Sequence, residues 1–180
     1  MSKLLPCLFA LTFLVSCGQS EKKEDRLSLS TESDTLAMPN YLSVEGDSVV
    51  VRPFEIRLDL TVRADTKIIA DEETLMVSVT LTGAPKDTTQ AYRTNGGEIG
   101  LVSREVELQD TRIARFDNLK FPRSAYDSLA EKDIRLLVNV YSGRKASKDN
   151  ILDCDLLSEN MSTLQNHQLT IQCRLIEEDE

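Results

Sequence analysis

The chain of 180 residues has no tryptophan, one histidine and only 5% aromatic residues. Without tryptophan it lacks the large flat rings on which sugar-binding sites commonly rest. Tyr41, Tyr92, Tyr126 and Tyr141 are all the tyrosine there is, and only Tyr141 falls on the outward phase of a strand-like segment. A lone histidine cannot build a histidine-rich zinc site or find a triad without distant help. His167, in Gln165-Asn166-His167-Gln168, reads as a solvent-facing turn residue. Positive charge is scarce as well: 21 Lys and Arg against 30 Asp and Glu give a net charge of −9. That balance excludes the basic face of a nucleic-acid binder and argues against adhesion to anionic headgroups. No apolar run reaches the roughly 20 residues that a membrane-crossing helix needs. What is present, 41% hydrophobic and 28% charged residues, is the composition of a globular domain rather than a disordered chain.

The N-terminus carries one cation, Lys3, and an apolar run from Leu4 to Val15, which is the layout of a secretory signal peptide. Pro6 interrupts the run, and the polar stretch Gly18-Gln19-Ser20-Glu21-Lys22-Lys23 follows it at once. Leu14 stands where an ordinary cleavage site wants a small residue. The four residues Leu14-Val15-Ser16-Cys17 instead resemble the lipobox of bacterial lipoproteins. The resemblance implies that residues 1–16 are a signal peptide, that Cys17 carries a diacylglyceryl group, and that its freed amine takes a further acyl chain such as palmitate. At about 0.8 kcal/mol per buried CH2, two or three chains anchor far more firmly than one. The same resemblance implies an outer-membrane address, because Gly18 and not aspartate follows the cysteine; whether the domain faces periplasm or cell surface stays open. Residues 17–40, rich in Ser, Thr, Glu and Asp, are expected to form a disordered tether with a mean reach of about 25 Å and roughly 70 Å when stretched. Within it, Asp34-Thr35-Leu36 resembles a short bacterial O-glycosylation sequon, which makes Thr35 the most accessible candidate for a glycan.

Residues 41–180 are dominated by period-two alternation. Phe54 to Arg63 places an apolar residue at every even position and a polar one at every odd position, so one face meets a core and the other meets water. The pattern returns in 75–82, 134–141 and 168–176, and more weakly in 44–51, 99–108, 111–117 and 151–156. Helical periodicity is nearly absent. The local exception is Ser124-Ala125-Tyr126-Asp127, a Ser-x-x-Asp start after Pro122 that predicts two helical turns. An all-β, antiparallel β-sandwich of seven to eight strands with one short helix is the expected architecture, of an immunoglobulin-like or transthyretin-like Greek-key kind. A small lipocalin-like barrel is the alternative. Outward charges at Arg57, Asp59 and Arg63 argue against a transmembrane barrel.

If Cys7 leaves with a signal peptide and Cys17 takes a lipid, Cys154 and Cys173 remain. Each alternates in phase with apolar neighbours, so the pair reads either as one disulfide of an oxidising compartment or as two reduced, buried thiols. Asp65, Asp71, Glu72 and Glu73 fall between the two clearest strands, where a loop is expected. They are weak calcium candidates, since Lys67 intervenes and the D-x-D-x-D-G spacing is missing. Ser142-Gly143-Arg144-Lys145 matches the S-x-x-K of penicillin-binding proteins, but it follows a strand and contains glycine, which makes it a hairpin turn. No catalytic constellation and no cofactor motif emerges. The expectation is a non-enzymatic module that sits on a membrane through its lipid and binds another envelope protein. Its layout is similar to that of small envelope and secretion-system lipoproteins. Glycan binding is the alternative, and a hydrolase built from loop carboxylates is the remote one.

Overall fold

The computed structural model describes residues 38–87, 97–164 and 168–179. The signal-like segment and most of the tether, residues 1–37, lie outside the described residues. Eleven strands make up three sheets, and the fold is all-β and sandwich-like. Strands β1 (Leu42–Glu45) and β2 (Ser48–Val51) pair with β7 (Lys120–Pro122) in the order β1-β2-β7. A second sheet runs β10-β8-β4-β5, built from β4 (Leu75–Gly83), β5 (Ile99–Leu108), β8 (Arg135–Ser142) and β10 (Leu157–Asn160). The third runs β6-β3-β11-β9, with β3 (Phe54–Leu60), β6 (Ile113–Phe116), β9 (Leu152–Cys154) and β11 (Leu169–Leu175).

The alternation does what a half-buried strand requires. In β4, Leu75, Val77, Val79 and Leu81 are buried while the residues between them are half-exposed; in β11, Leu169, Ile171, Cys173 and Leu175 are buried and their neighbours exposed. These side chains join Ile56 and Leu58 of β3, Leu136 and Val138 of β8, and Val49 and Phe121 of the three-stranded sheet in a single core cluster.

Four expectations need correction. The sandwich is mixed and not purely antiparallel, because β11 runs parallel to β3, with Leu169 opposite Ile56 and Cys173 opposite Leu60. More than a hundred residues separate the two strands, so no hairpin dictates their relative direction, as a short turn does for antiparallel neighbours. The described residues hold eleven strands because 44–51 is a hairpin and because β7 and β10 are too short to announce themselves. The two-residue loop Gly46-Asp47 makes that hairpin, with Gly46 at φ 59, a conformation that primed hairpin turns need.

Among the described residues the α-helices number three, all short, not one. The missed one is α1 (Val62–Ala70), where a loop and the tail of a strand were expected. Thr61 ends β3 by capping α1: its hydroxyl accepts from the Ala64 N–H at 3.2 Å. Ala64 and Ile68, one helical turn apart, are buried, whereas Val62 is 85% exposed although it completes the even-numbered apolar series. Helix α2 (Arg123–Asp127) links the first sheet to the second, but it is five residues long, Pro122 is its N-cap, and no side chain caps it. Its carbonyl end is held by the Lys132 ammonium, which donates to the carbonyls of Tyr126 and Leu129 and lies 4.7 Å from the Tyr126 ring centre. Helix α3 (Met161–Leu164) was unannounced.

Candidate functional site

The four acidic residues 65–73 do not converge. Asp65, in the first turn of α1, pairs with Arg112 at 2.7 Å, and Asp71 pairs with Lys67 at 2.9 Å. Glu72 adopts a left-handed backbone, φ 51, just after the helix. That turn sends Glu73 inward, where it is 2% exposed. Among the described residues, no group of His, Cys, Asp and Glu is arranged to hold a metal ion.

Glu73 has a structural occupation instead. Its Oε1 accepts from the backbone N–H of Thr74 and Lys145, both at 2.9 Å, and its Oε2 from Ala146 at 2.9 Å and Ser147 at 3.2 Å. Burial pushes the carboxyl pKa up, but the four N–H donors together hold it below the usual carboxylate range. Three of these donors, Lys145, Ala146 and Ser147, come from the connection after β8, which the Ser142-Gly143-Arg144-Lys145 segment opens. Ser142 is buried, its hydroxyl engaged with Asn150 and the Ile151 N–H, and Lys145 pairs with Glu107 at 3.1 Å. A Cβ on Gly143 would lie 1.8 Å from the Thr74 hydroxyl, so only glycine fits. The S-x-x-K match ends β8 and opens the connection to β9 in the third sheet, so it is a crossover between sheets and not the expected hairpin turn.

Of the tyrosines, Tyr41 and Tyr126 are buried. Tyr41 donates to Asp133 at 2.5 Å and accepts from the Ile134 N–H at 3.1 Å; burial and Asp133 push its pKa up. Burial likewise brings Tyr126 up to about 12. Tyr141 does stand on the outer face of the second sheet, where its hydroxyl donates to Glu105 at 2.7 Å. That face also carries Ser78, Thr80, Thr82, Asn139 and Ser103. Its polar groups largely satisfy one another, as in Thr80–Ser103 at 3.0 Å and Arg135–Glu98 at 3.0 Å. Cys154 and Cys173 sit directly opposite each other on β9 and β11, Cα atoms 4.1 Å apart, as a disulfide-compatible pair. Cys173 is buried and Cys154 only half-buried, so the pair lies at the margin of the core. Cys17, Thr35, Tyr92 and His167 fall outside the described residues.

Among the described residues, a strand edge and a cleft stand open to solvent. The first is the outer edge of β5, ten residues long, hydrogen-bonded to β4 on one side and terminal among the described strands of its sheet. Seven of the pairings with β4 continue without interruption from Leu75–Leu108 to Leu81–Val102, and a bulge follows at Leu81/Thr82. The second is a cleft of about 300 Å³ between the start of β3, β6, α3 and the start of β11. Its apolar lining comes from Phe54, Ile113, Met161, Leu164 and Leu169, and its charged lining from Arg52, Arg57 and Glu55. The sequence marks neither: edge position is a property of sheet order, and α3, which closes the cleft, has no periodicity in four residues.

The chain matches no protein-family model, no curated protein and no solved structure. No helix among the described residues is long and apolar enough to cross a membrane.

Proposed function

We propose that this chain is a lipid-anchored cell-envelope lipoprotein of the outer membrane whose β-domain is a non-enzymatic interaction module, docking another envelope protein by strand addition along β5. The observation that carries the reading is the length and exposure of that edge. Unpaired backbone N–H and C=O groups along a strand edge are a ready template for another strand, and proteins normally shorten or cover such edges. Here ten residues stand at the edge, and Gly100, Ser103, Arg104, Glu105 and Glu107 are exposed. The charges on Arg104, Glu105 and Glu107 oppose indiscriminate pairing and favour a partner strand of complementary charge. Lipid on Cys17 supports the same reading, since tethering to a shared surface raises the effective concentration of a partner on that surface. A Cys154–Cys173 disulfide suits an oxidising compartment.

The test is a photo-crosslinking side chain introduced at Arg104 in the full chain in intact cells, with Asp59 on the exposed face of β3 as the control position. One dominant adduct from position 104, absent from position 59 and lost when Cys17→Ala releases the chain from the membrane fraction, is the expected result. Identical adduct patterns at both positions, no adduct at all, or a Cys17→Ala chain that stays in the membrane fraction would overturn the proposal.

A further inference from the structure

Most cations of the described domain are spoken for. Lys67, Arg112, Arg115, Lys120, Arg123 and Arg135 each sit within ion-pair distance of a carboxylate. In a chain with 30 acidic residues against 21 basic ones, such pairing is the default. Arg52 and Arg57 depart from it, as Arg104 and Lys148 also do, but only Arg52 and Arg57 face a cleft together. Both line the cleft, both are exposed, and neither guanidinium has a hydrogen bond or ion pair to a described residue. The single carboxylate in the lining, Glu55, is engaged by Arg115 at 2.9 Å. The acidic protein therefore presents a local cationic rim, and it does so beside an apolar hollow.

The hollow itself is not a packing remnant. Phe54, Ile113 and Leu164, half-buried, line it together with the buried Met161 and Leu169. A volume of about 300 Å³ lies at the small end of ligand sites, which run from roughly 300 to 1,000 Å³. That size excludes a folded partner and suits a short single-chain molecule. Guanidinium groups present planar forks of donors that match carboxylate and phosphate oxygens. An apolar floor with two unengaged forks at its rim is thus complementary to an apolar tail ending in an anion.

From these features we infer that the cleft binds a small amphiphile, a short alkyl or acyl chain with a carboxylate or phosphate head, its tail against Ile113 and Leu164 and its head between Arg52 and Arg57. This site is separate from the β5 edge, and its test is independent of strand addition.

The experiment is calorimetric titration of the full-length chain in nanodiscs, with empty nanodiscs as the blank. The probes are sodium octanoate, octyl phosphate, sodium butanoate, 1-octanol and octyltrimethylammonium. Saturable one-to-one binding of octanoate or octyl phosphate is expected, at least tenfold tighter than octanol, the cationic probe or butanoate. The tighter of the two anions identifies the head. The double variant R52Q/R57Q is expected to weaken the anion at least tenfold and to leave octanol unchanged; both side chains are exposed, so folding is not at stake. Equal binding of octanol or the cation, equal binding of butanoate, an R52Q/R57Q variant that binds the anions as well as the parent, or no saturable binding of either anion in the millimolar range would each overturn the inference.

Discussion

The Glu73 carboxylate does for the turn at 142–147 what a bound anion does for an anion-binding nest: it gathers the backbone N–H groups of Lys145, Ala146 and Ser147. Its charge is what makes the arrangement strong, because a hydrogen bond to an ionised group contributes roughly 1.5–3 kcal/mol against about 1 for a neutral one. Glu73→Gln keeps the size, loses the charge, and turns an amide N–H2 toward donors. It should cost about 2–3 kcal/mol in urea unfolding at pH 7. The sign of the pH dependence follows from the lowered carboxyl pKa. The folded state holds the proton more weakly than the unfolded chain, whose glutamate titrates near 4.3. The stability it contributes is therefore complete above that value and is lost as pH falls through the lower, folded one. The gap between parent and Glu73→Gln should shrink as pH is lowered below about 4.3. A gap that stays constant down to pH 3 would contradict a charged Glu73 as the organiser. The residue's role was not legible in the sequence. Four clustered acids look like one loop, and only the helix ending at Ala70 and the left-handed Glu72 separate the exposed Asp71 from the buried Glu73.

At the scale of elements, α1 shows why a strong pattern can run past its element. From Phe54 to Val62 every even residue is apolar, and a strand accounts for all of them but the last. The competing signals were local: Thr61 as a cap three residues before Ala64, Asp65 in the first turn, and Lys67–Asp71 at i,i+4. The cap wins because it satisfies an N–H at the helix start, and because Ala64 and Ile68 then reach the core on one helical face. Burying Ile68 contributes on the order of 2 kcal/mol, enough to offset one exposed valine. Thr61→Val keeps the shape of the side chain and removes the acceptor. Its expected cost is about 1 kcal/mol, read as a lower urea midpoint at unchanged slope with faster amide exchange from Ala64 to Ile68. Unchanged exchange there would mean that packing of Ile68, and not the cap, sets where the helix begins. The central strands β4, β8 and β11 were legible by contrast, since each buries one face along its whole length and the period of two has no rival.

Across the whole molecule the sheets depend on strands that meet from far apart in the chain, and β11 is the extreme case. It enters after α3, inserts between β3 and β9, and contributes Leu169, Ile171, Cys173 and Leu175 to the core. The sequence predicts the strand but not its direction, because direction is decided by what lies on either side after folding. Its neighbour β9 is three residues long and stands at the sheet edge, so it has little burial of its own beyond Leu152. A bond between Cys154 and Cys173, which lie opposite each other, is expected to compensate. A bridge across a sequence separation of 19 restricts the unfolded chain and contributes roughly 3 kcal/mol in the chain-entropy account. The double variant Cys154→Ser, Cys173→Ser should therefore lose about that much stability. Reductant should lower the parent to the same level and leave the variant unmoved. Amide protection should fall most in 152–154 and least in β4, which is paired along its length on both sides. If reductant leaves the parent's unfolding midpoint where it was, the two sulfurs are packed and not joined. The edge strand β9 is then held by Leu152 and by the Arg174–Asp153 ion pair at 2.8 Å, an exposed contact of the kind worth at most about 1 kcal/mol.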